Sequence, residues 1–290
     1  MKKKIMALIM AGVIAASLAA CGGNSGAAST DSAAEEKTEE AAEEEAATEE
    51  AAAEEPTAEA GAVSEYLADG VLTVGTNPEF PPFEYMGDDG NPDGFDIALI
   101  NAIGEKLGVD VVVESYNFNS LVESIGSKID VSIAGMTVTE ERKQAVDFSD
   151  SYYEAIQSVI VKKDSAIASA DDLKGKSLGC QLGTTGDFII QDIEGAENHQ
   201  YDRGVDAVND LLNDKVEAVI IDRNPAAVFQ AQYPDDLKII SGEDFGFETE
   251  LYAIAMPKGD TALADAINGA LAELKADGTF DKLVEEYINE

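Results

Sequence analysis

Histidine occurs once in the 290-residue chain, cysteine twice and tryptophan not at all. His199 with a single spare thiol cannot supply the clustered nitrogen and sulfur ligands of a zinc site, nor the paired groups of a thiol enzyme. No metal and no cofactor is therefore expected. Basic residues are also scarce: 19 Lys and Arg stand against 58 Asp and Glu, for a net charge of −39. Phosphate backbones are held by clustered Lys and Arg, so nucleic acid is excluded as a partner. No Walker or Gly-x-Gly-x-x-Gly pattern is present to cradle a nucleotide. Long apolar runs are missing as well; the stretch Ile5–Leu18 is shorter than the roughly 20 residues needed to span a bilayer.

That short apolar stretch follows Lys2, Lys3 and Lys4 and precedes small residues, the layout of a secretory signal over residues 1–20. The run Leu18-Ala19-Ala20-Cys21 resembles the bacterial lipobox, which implies cleavage before Cys21 and lipid attached to it; an ordinary signal peptide with an incidental cysteine is the alternative. The expected location is a cell membrane, with the protein held by its lipid on the extracytoplasmic face. Cys180 is then the only free thiol, no internal disulfide can form, and its apolar flanks mark it as a small buried residue. Residues 21–63 read as the lipidated cysteine and a tether. Its Glu and Ala blocks contain almost no large apolar side chain to offset the entropy of ordering. As a flexible coil the 42 residues Gly22–Val63 span roughly 35–40 Å. The tether carries net −12, leaving −30 on the remainder from Ser64 onward.

From Ser64 the pattern alternates short β-rich runs with helix-period segments. Expected strands are Val71–Val74, Val111–Glu114, Val131–Ile133, Ser158–Val161, Ser177–Cys180, Ala218–Ile221 and Lys238–Ile240, with a further apolar run at Tyr252–Met256. Expected helices are Asp96–Leu107, Ser120–Ser127, Thr185–Ile193, Val205–Leu212, Pro225–Gln232, Thr261–Ala276 and Thr279–Tyr287. In Asp96–Leu107, Ile97, Ile100, Ile103 and Leu107 share a face. This alternation implies an α/β architecture with largely parallel sheets, whose ligands sit at the carboxyl ends of strands.

Four segments just after strands stand out. Asn77-Pro78-Glu79-Phe80-Pro81-Pro82-Phe83-Glu84 is a stiff loop bearing two aromatics. Ala134–Arg142 contains Gly135 and Thr137, with Thr139 placed to cap a helix whose first turn also holds Arg142, a cation opposing the helix dipole. Gln181-Leu182-Gly183-Thr184-Thr185-Gly186 opens a helix and offers free N–H groups and hydroxyls to an anion. Asp222 ends an apolar strand with a carboxylate. Taken singly, Asp222 is a cap, Phe80 and Phe83 are core, and Arg142 is a solvated surface group. Taken together, one Arg, one Asp, several hydroxyls and two aromatics at strand ends suit a free zwitterion with a side chain.

The stretch Ala134–Ser149 (AGMTVTEERKQAVDFS) is similar to a signature of the solute-binding proteins of polar amino-acid ABC importers, family 3. Phe80-Pro81-Pro82-Phe83-Glu84, Gly94-Phe95-Asp96, Gly183-Thr184-Thr185 and Ala255-Met256-Pro257-Lys258-Gly259 support the likeness, which covers Ser64–Glu290. The resemblance implies a periplasmic-binding-protein-like type II fold: lobe 1 from 64–152 plus 251–290, lobe 2 from 153–250, and a hinge of two crossings near Tyr153 and Glu250. It implies a monomer that captures a free amino acid and passes it to the permease subunits of an ABC importer. By that resemblance Arg142 grips the α-carboxylate, helped by the Gly135 and Thr137 backbone or hydroxyl and by the Thr185 hydroxyl and N–H. Asp222 holds the α-ammonium, and Phe80 and Phe118 flank the ligand side chain.

Asn77 and Ala134 depart from the Asp and Ser of members specific for basic amino acids, and Gln181 from the Lys of some glutamine binders. The reading leans toward a neutral polar amino acid. The rival classes are a cyclic amino-acid-precursor dehydratase of the same fold, with Glu84 or Asp222 as acid or base, and a ligand-sensing module.

Overall fold

The structure, a computed structural model, describes Ser64–Asn289. The expected signal segment 1–20, the expected lipidation site Cys21 and the expected tether Gly22–Val63 lie outside the described residues.

The chain begins with β1 (Val71–Thr76), a small hairpin of β2 (Glu79–Phe80) and β3 (Glu84–Met86), then β4 (Pro92–Asp93) and α1 (Phe95–Leu107). It continues through β5 (Asp110–Ser115), α2 (Leu121–Ser124), β6 (Val131–Ser132), α3 (Arg142–Ala145) and β7 (Val146–Phe148). The second lobe holds β8 (Tyr153–Lys162), β9 (Ser177–Gln181), α4 (Thr185–Asp192), β10 (Glu197–Tyr201), α5 (Gly204–Leu212), β11 (Ala218–Asp222), α6 (Arg223–Gln232), β12 (Leu237–Ile240) and β13 (Thr249–Tyr252). The chain returns through β14 (Ala255–Pro257) and ends in α7 (Thr261–Ala276) and α8 (Thr279–Tyr287).

The expected α/β class holds, as two mixed sheets forming two lobes. The first sheet runs β5-β1-β6-β14-β7 and the second β10-β9-β11-β8-β12, with β13 alongside β8. β1 is parallel to β5 and β6, and β9 is parallel to β10 and β11. One strand of each sheet opposes its neighbours: β14 in the first, β8 in the second. Each is the strand by which the chain has just crossed between lobes. A helical crossover returns the chain to the same end of its sheet, whereas a direct crossing delivers it from the other end. The two crossings are themselves paired, with Glu250 opposite Ala155 and Tyr252 opposite Tyr153.

Local sequence explains most elements. In β1, Leu72 and Val74 are fully buried while Val71 and Thr73 are half-buried, the period-two pattern of a strand with one face on the core. In α1, Ile97, Ile100 and Ile103 are buried as their spacing implies, and the helix packs on α7 and α8. Gly94 enters α1 with φ +118°, and a Cβ there would stand 2.4 Å from the Phe83 carbonyl oxygen, so only glycine fits.

Several expectations change: the sheets are mixed where largely parallel ones were expected, and the short strands β2, β3, β4, β7 and β13 have no expected counterpart. The helix expected over Ser120–Ser127 is one turn, Leu121–Ser124, following a 3₁₀ turn at Phe118–Ser120. β10 has no counterpart among the expected strands, because Glu197-Asn198-His199-Gln200 lacks the apolar alternation of one. It is a polar edge strand whose Asn198 and Gln200 amides donate to the Asp187 carboxylate at 2.7 and 2.9 Å. His199 meets the Ser177 hydroxyl at 2.8 Å. Cys180 is buried as expected, and burial pushes its thiol well up, leaving it unreactive. Among the described residues no helix is long and apolar enough to cross a membrane.

Candidate ligand-binding site

The carboxyl ends of β1, β6, β9 and β11 converge on one cavity between the lobes. Asn77, Phe80, Phe118, Gly135, Thr137, Arg142, Gln181, Thr185 and Asp222 all line it, joined by Ala134 and Thr184. Its cavity volume is only about 10 Å³, so its walls lie nearly in contact. The nine residues chosen from sequence are thus brought together from four strand ends and three helix starts.

Arg142 is buried, not solvated. Thr139 Oγ1 accepts its N–H at 3.1 Å, so the expected cap on that turn is present. The guanidinium donates to the Thr137 carbonyl at 2.6 Å and, across the cleft, to the Gly183 carbonyl at 3.0 Å. Its carbon lies 5.2 Å from the centre of the Phe118 ring. Burial lowers its pKa to about 10, which still leaves it charged at neutral pH. A buried cation opposing the dipole of its own helix turn stays charged only where anions compensate; Glu250 and Asp222 contribute most to that.

Asp222 stands at the N-cap position of α6, but its side chain makes no cap bond. It accepts the Tyr252 hydroxyl at 2.5 Å, turned toward the cavity. Burial, then the neighbouring Glu250 carboxylate, raises its pKa to about 7. A buried carboxylate poised at neutrality beside a permanent cation is the electrostatic frame for a zwitterion.

Gly135 contributes differently from expectation. Its N–H donates inward to Asp96 Oδ2 at 2.8 Å, an oxygen that also accepts the Tyr152 hydroxyl at 2.8 Å. Its value to the site lies in the missing side chain: φ is +52°, and a Cβ would press to 2.8 Å from the Phe80 ring. Asp96 in turn lies against Glu84, fully buried, whose carboxyl burial and the Asp96 charge hold well above the usual range. Glu84 does not line the cavity. Protonated, it is a donor to Asp96 under the ligand loop.

One end of the cavity is built from amides. Gln181 Nε2 donates across the cleft to Asn77 Oδ1 at 2.8 Å and to the Asp202 carbonyl at 3.0 Å, while Asn77 Nδ2 donates to the Tyr116 carbonyl at 2.9 Å. Phe80 forms one wall, stacked on Phe83 at 5.8 Å. The Thr137 and Thr185 hydroxyls both donate to Glu250 Oε2, at 2.7 and 2.8 Å. The sequence reading has Glu250 only as a hinge position and Gln157 not at all; in a chain with 58 acids, nothing local marks Glu250 as a site residue.

The model of the bacterial extracellular solute-binding proteins, family 3, matches residues 72–290. The L-cystine-binding protein TcyJ of Escherichia coli is 33% identical over 80% of this chain and 87% of its own length. The arginine-binding extracellular protein ArtP of Bacillus subtilis is 38% identical over 75% of this chain and 86% of its own. A solved ancestral arginine-binding protein bound to glutamine superposes with a TM-score of 0.71 at 42% identity, covering 76% of this chain and 99% of the other. All three are named as amino-acid-binding proteins, and none lends support to the dehydratase alternative. With a matching family model over three-quarters of its length and relatives of this similarity, the chain belongs to the bacterial extracellular solute-binding proteins of family 3, the amino-acid-binding components of ABC transporters.

Proposed function

We propose that this protein is a lipid-anchored receptor that captures a neutral polar L-amino acid between lobes 64–152 plus 251–290 and 153–250, and delivers it to its permease. The observation that carries the reading is the placement of Arg142 and Asp222 on opposite lobes of one cavity. A planar guanidinium matches two carboxylate oxygens, and an aspartate completes an ammonium. A ligand that touches both lobes stabilises the closed form by its differential affinity for it.

Neutral specificity is supported by the Asn77 and Gln181 amides, which bring neither a carboxylate nor a cation to the side-chain end. The similar ancestral protein bound to glutamine is consistent with that choice. Arginine is the second reading, favoured by the name of ArtP. Calorimetric titration with L-glutamine, L-arginine, L-histidine and L-cystine decides between them. Tight binding of arginine alone would refute neutral specificity. In the same assay, Asn77→Asp should raise the arginine-to-glutamine affinity ratio by about ten- to hundredfold, the worth of one hydrogen bond to a charged group. An unchanged ratio would place the ligand side chain away from Asn77.

The anchor is proposed at Cys21. Cys21→Ser should release the protein to the medium or leave it unprocessed, as followed by fractionation and mass spectrometry. A processed variant as firmly membrane-bound as the wild type would contradict the lipobox reading.

A further inference from the structure

Glu250 sits on β13, the strand by which the chain leaves the second lobe, paired opposite Ala155 of β8. One of its oxygens, Oε2, accepts the hydroxyl of Thr137 from the first lobe and that of Thr185 from the second. Gln157 Nε2 reaches the same oxygen at 3.4 Å and donates to Thr185 Oγ1 at 2.9 Å. Thr137 and Thr185 line both the ligand cavity and an outer groove; Glu250 lines only the groove. The carboxylate therefore lies behind the two threonines, outside the cavity, and one of its oxygens joins the two lobes.

A threonine hydroxyl has one proton to donate. With that proton directed at Glu250, each hydroxyl offers the cavity lone pairs alone. It accepts from a ligand ammonium and has nothing to donate to a ligand carboxylate. The carboxylate is left to Arg142 and to the N–H groups that open α4. We propose that Glu250 is a positioning residue: it clasps the lobes through the two hydroxyls and, by fixing their protons, sets the cavity's ammonium end against its carboxylate end. The polarity half of this proposal rests on the amino-acid reading of the cavity; the clasp half does not.

The test uses the full chain with Cys21→Ser and nitroxide labels at Glu123→Cys and Asp192→Cys, exposed positions on the two lobes. Distances are measured by electron–electron double resonance without added amino acid, and affinity by calorimetry with L-glutamine. Glu250→Ala should shift the main population to longer distances and weaken glutamine about ten- to hundredfold, the loss of hydrogen bonds to a charged acceptor. Glu250→Gln keeps an oxygen for both hydroxyls, so it should retain the short distance and near wild-type affinity. A Glu250→Ala distance distribution identical to wild type overturns the clasp, as does Glu250→Gln opening as far as Glu250→Ala. Should Glu250→Ala fail to fold by circular dichroism, Thr137→Val with Thr185→Val decides the question, and no opening in that pair rejects the proposal. If wild type binds no glutamine, glutamine is excluded as the ligand while the distance comparison still decides the clasp.

Discussion

Replacing Arg142 or Asp222 by alanine is expected to abolish amino-acid binding while the fold survives. Each substitution strands one charged end of the ligand in a cavity from which water is largely excluded. Removing one partner of a desolvated, hydrogen-bonded charge pair costs about 2–5 kcal/mol, or roughly 30- to 5,000-fold in affinity. Arg142→Ala belongs at the upper end. Its guanidinium also satisfies the Thr137 and Gly183 carbonyls, one on each side of the cleft, so the variant loses a contact that closure would otherwise make. Asp222→Ala leaves the buried Tyr252 hydroxyl without the carboxylate that accepts it. Titration calorimetry gives the affinities, and circular dichroism with thermal melting checks the fold. Wild-type affinity in Arg142→Ala would remove that residue from the site.

Binding should weaken by about tenfold for each pH unit below about 7. Asp222 has a pKa of about 7, raised first by burial and then by Glu250, so in acid it is protonated and cannot hold an ammonium. Capturing a zwitterion then requires release of one proton, which gives that slope. The same shift acts on stability with the opposite sign. The folded pKa lies above the ordinary 3.8 of an aspartate, so the folded state binds more protons between about 4 and 7. Its contribution is fully present below the unfolded pKa and is lost as pH rises through about 7, amounting to a few kcal/mol at 1.36 kcal/mol per unit. Asp96, raised to about 6 by burial, acts in the same direction. Thermal melts of wild type minus Asp222→Asn between pH 4.5 and 8 isolate the Asp222 share. The difference should fall as pH rises; a flat difference, with affinity independent of pH, would show that Asp222 stays ionised throughout.

Much of the architecture was legible because it is written in short-range patterns. The isoleucines of α1 repeat at the helical period, Thr184 and Gly183 announce the start of α4, and apolar runs such as Ala218–Ile221 mark central strands. The candidate site was legible for a related reason. In α/β lobes the strands end on a common edge, so residues just after them are brought together whatever the loops do. The segments that carry Asn77, Gly135, Gln181 and Asp222 stood out on that basis, and the family resemblance singled out the residues within them. β10 could not, because its amides are held by the Asp187 carboxylate and by pairing with β9, not by burying apolar side chains.

By itself, then, the sequence determined the class of fold, the strand ends that carry the site, the absence of a metal-ligand set, and the one Arg and one Asp suited to a zwitterion. The direction of each hydrogen bond was decided by tertiary structure alone. Gly135 turns its N–H to the buried Asp96 carboxylate, on the oxygen that also accepts the Tyr152 hydroxyl. Thr137 and Thr185 direct their protons to Glu250, a residue 65 positions beyond the second of them that only strand pairing at the hinge brings near. Asp222 forgoes its cap for the Tyr252 hydroxyl, delivered by that same strand. Residue type and spacing limit which groups can meet, but a polar atom's partner depends on what else is buried beside it, and that is a property of the closed chain.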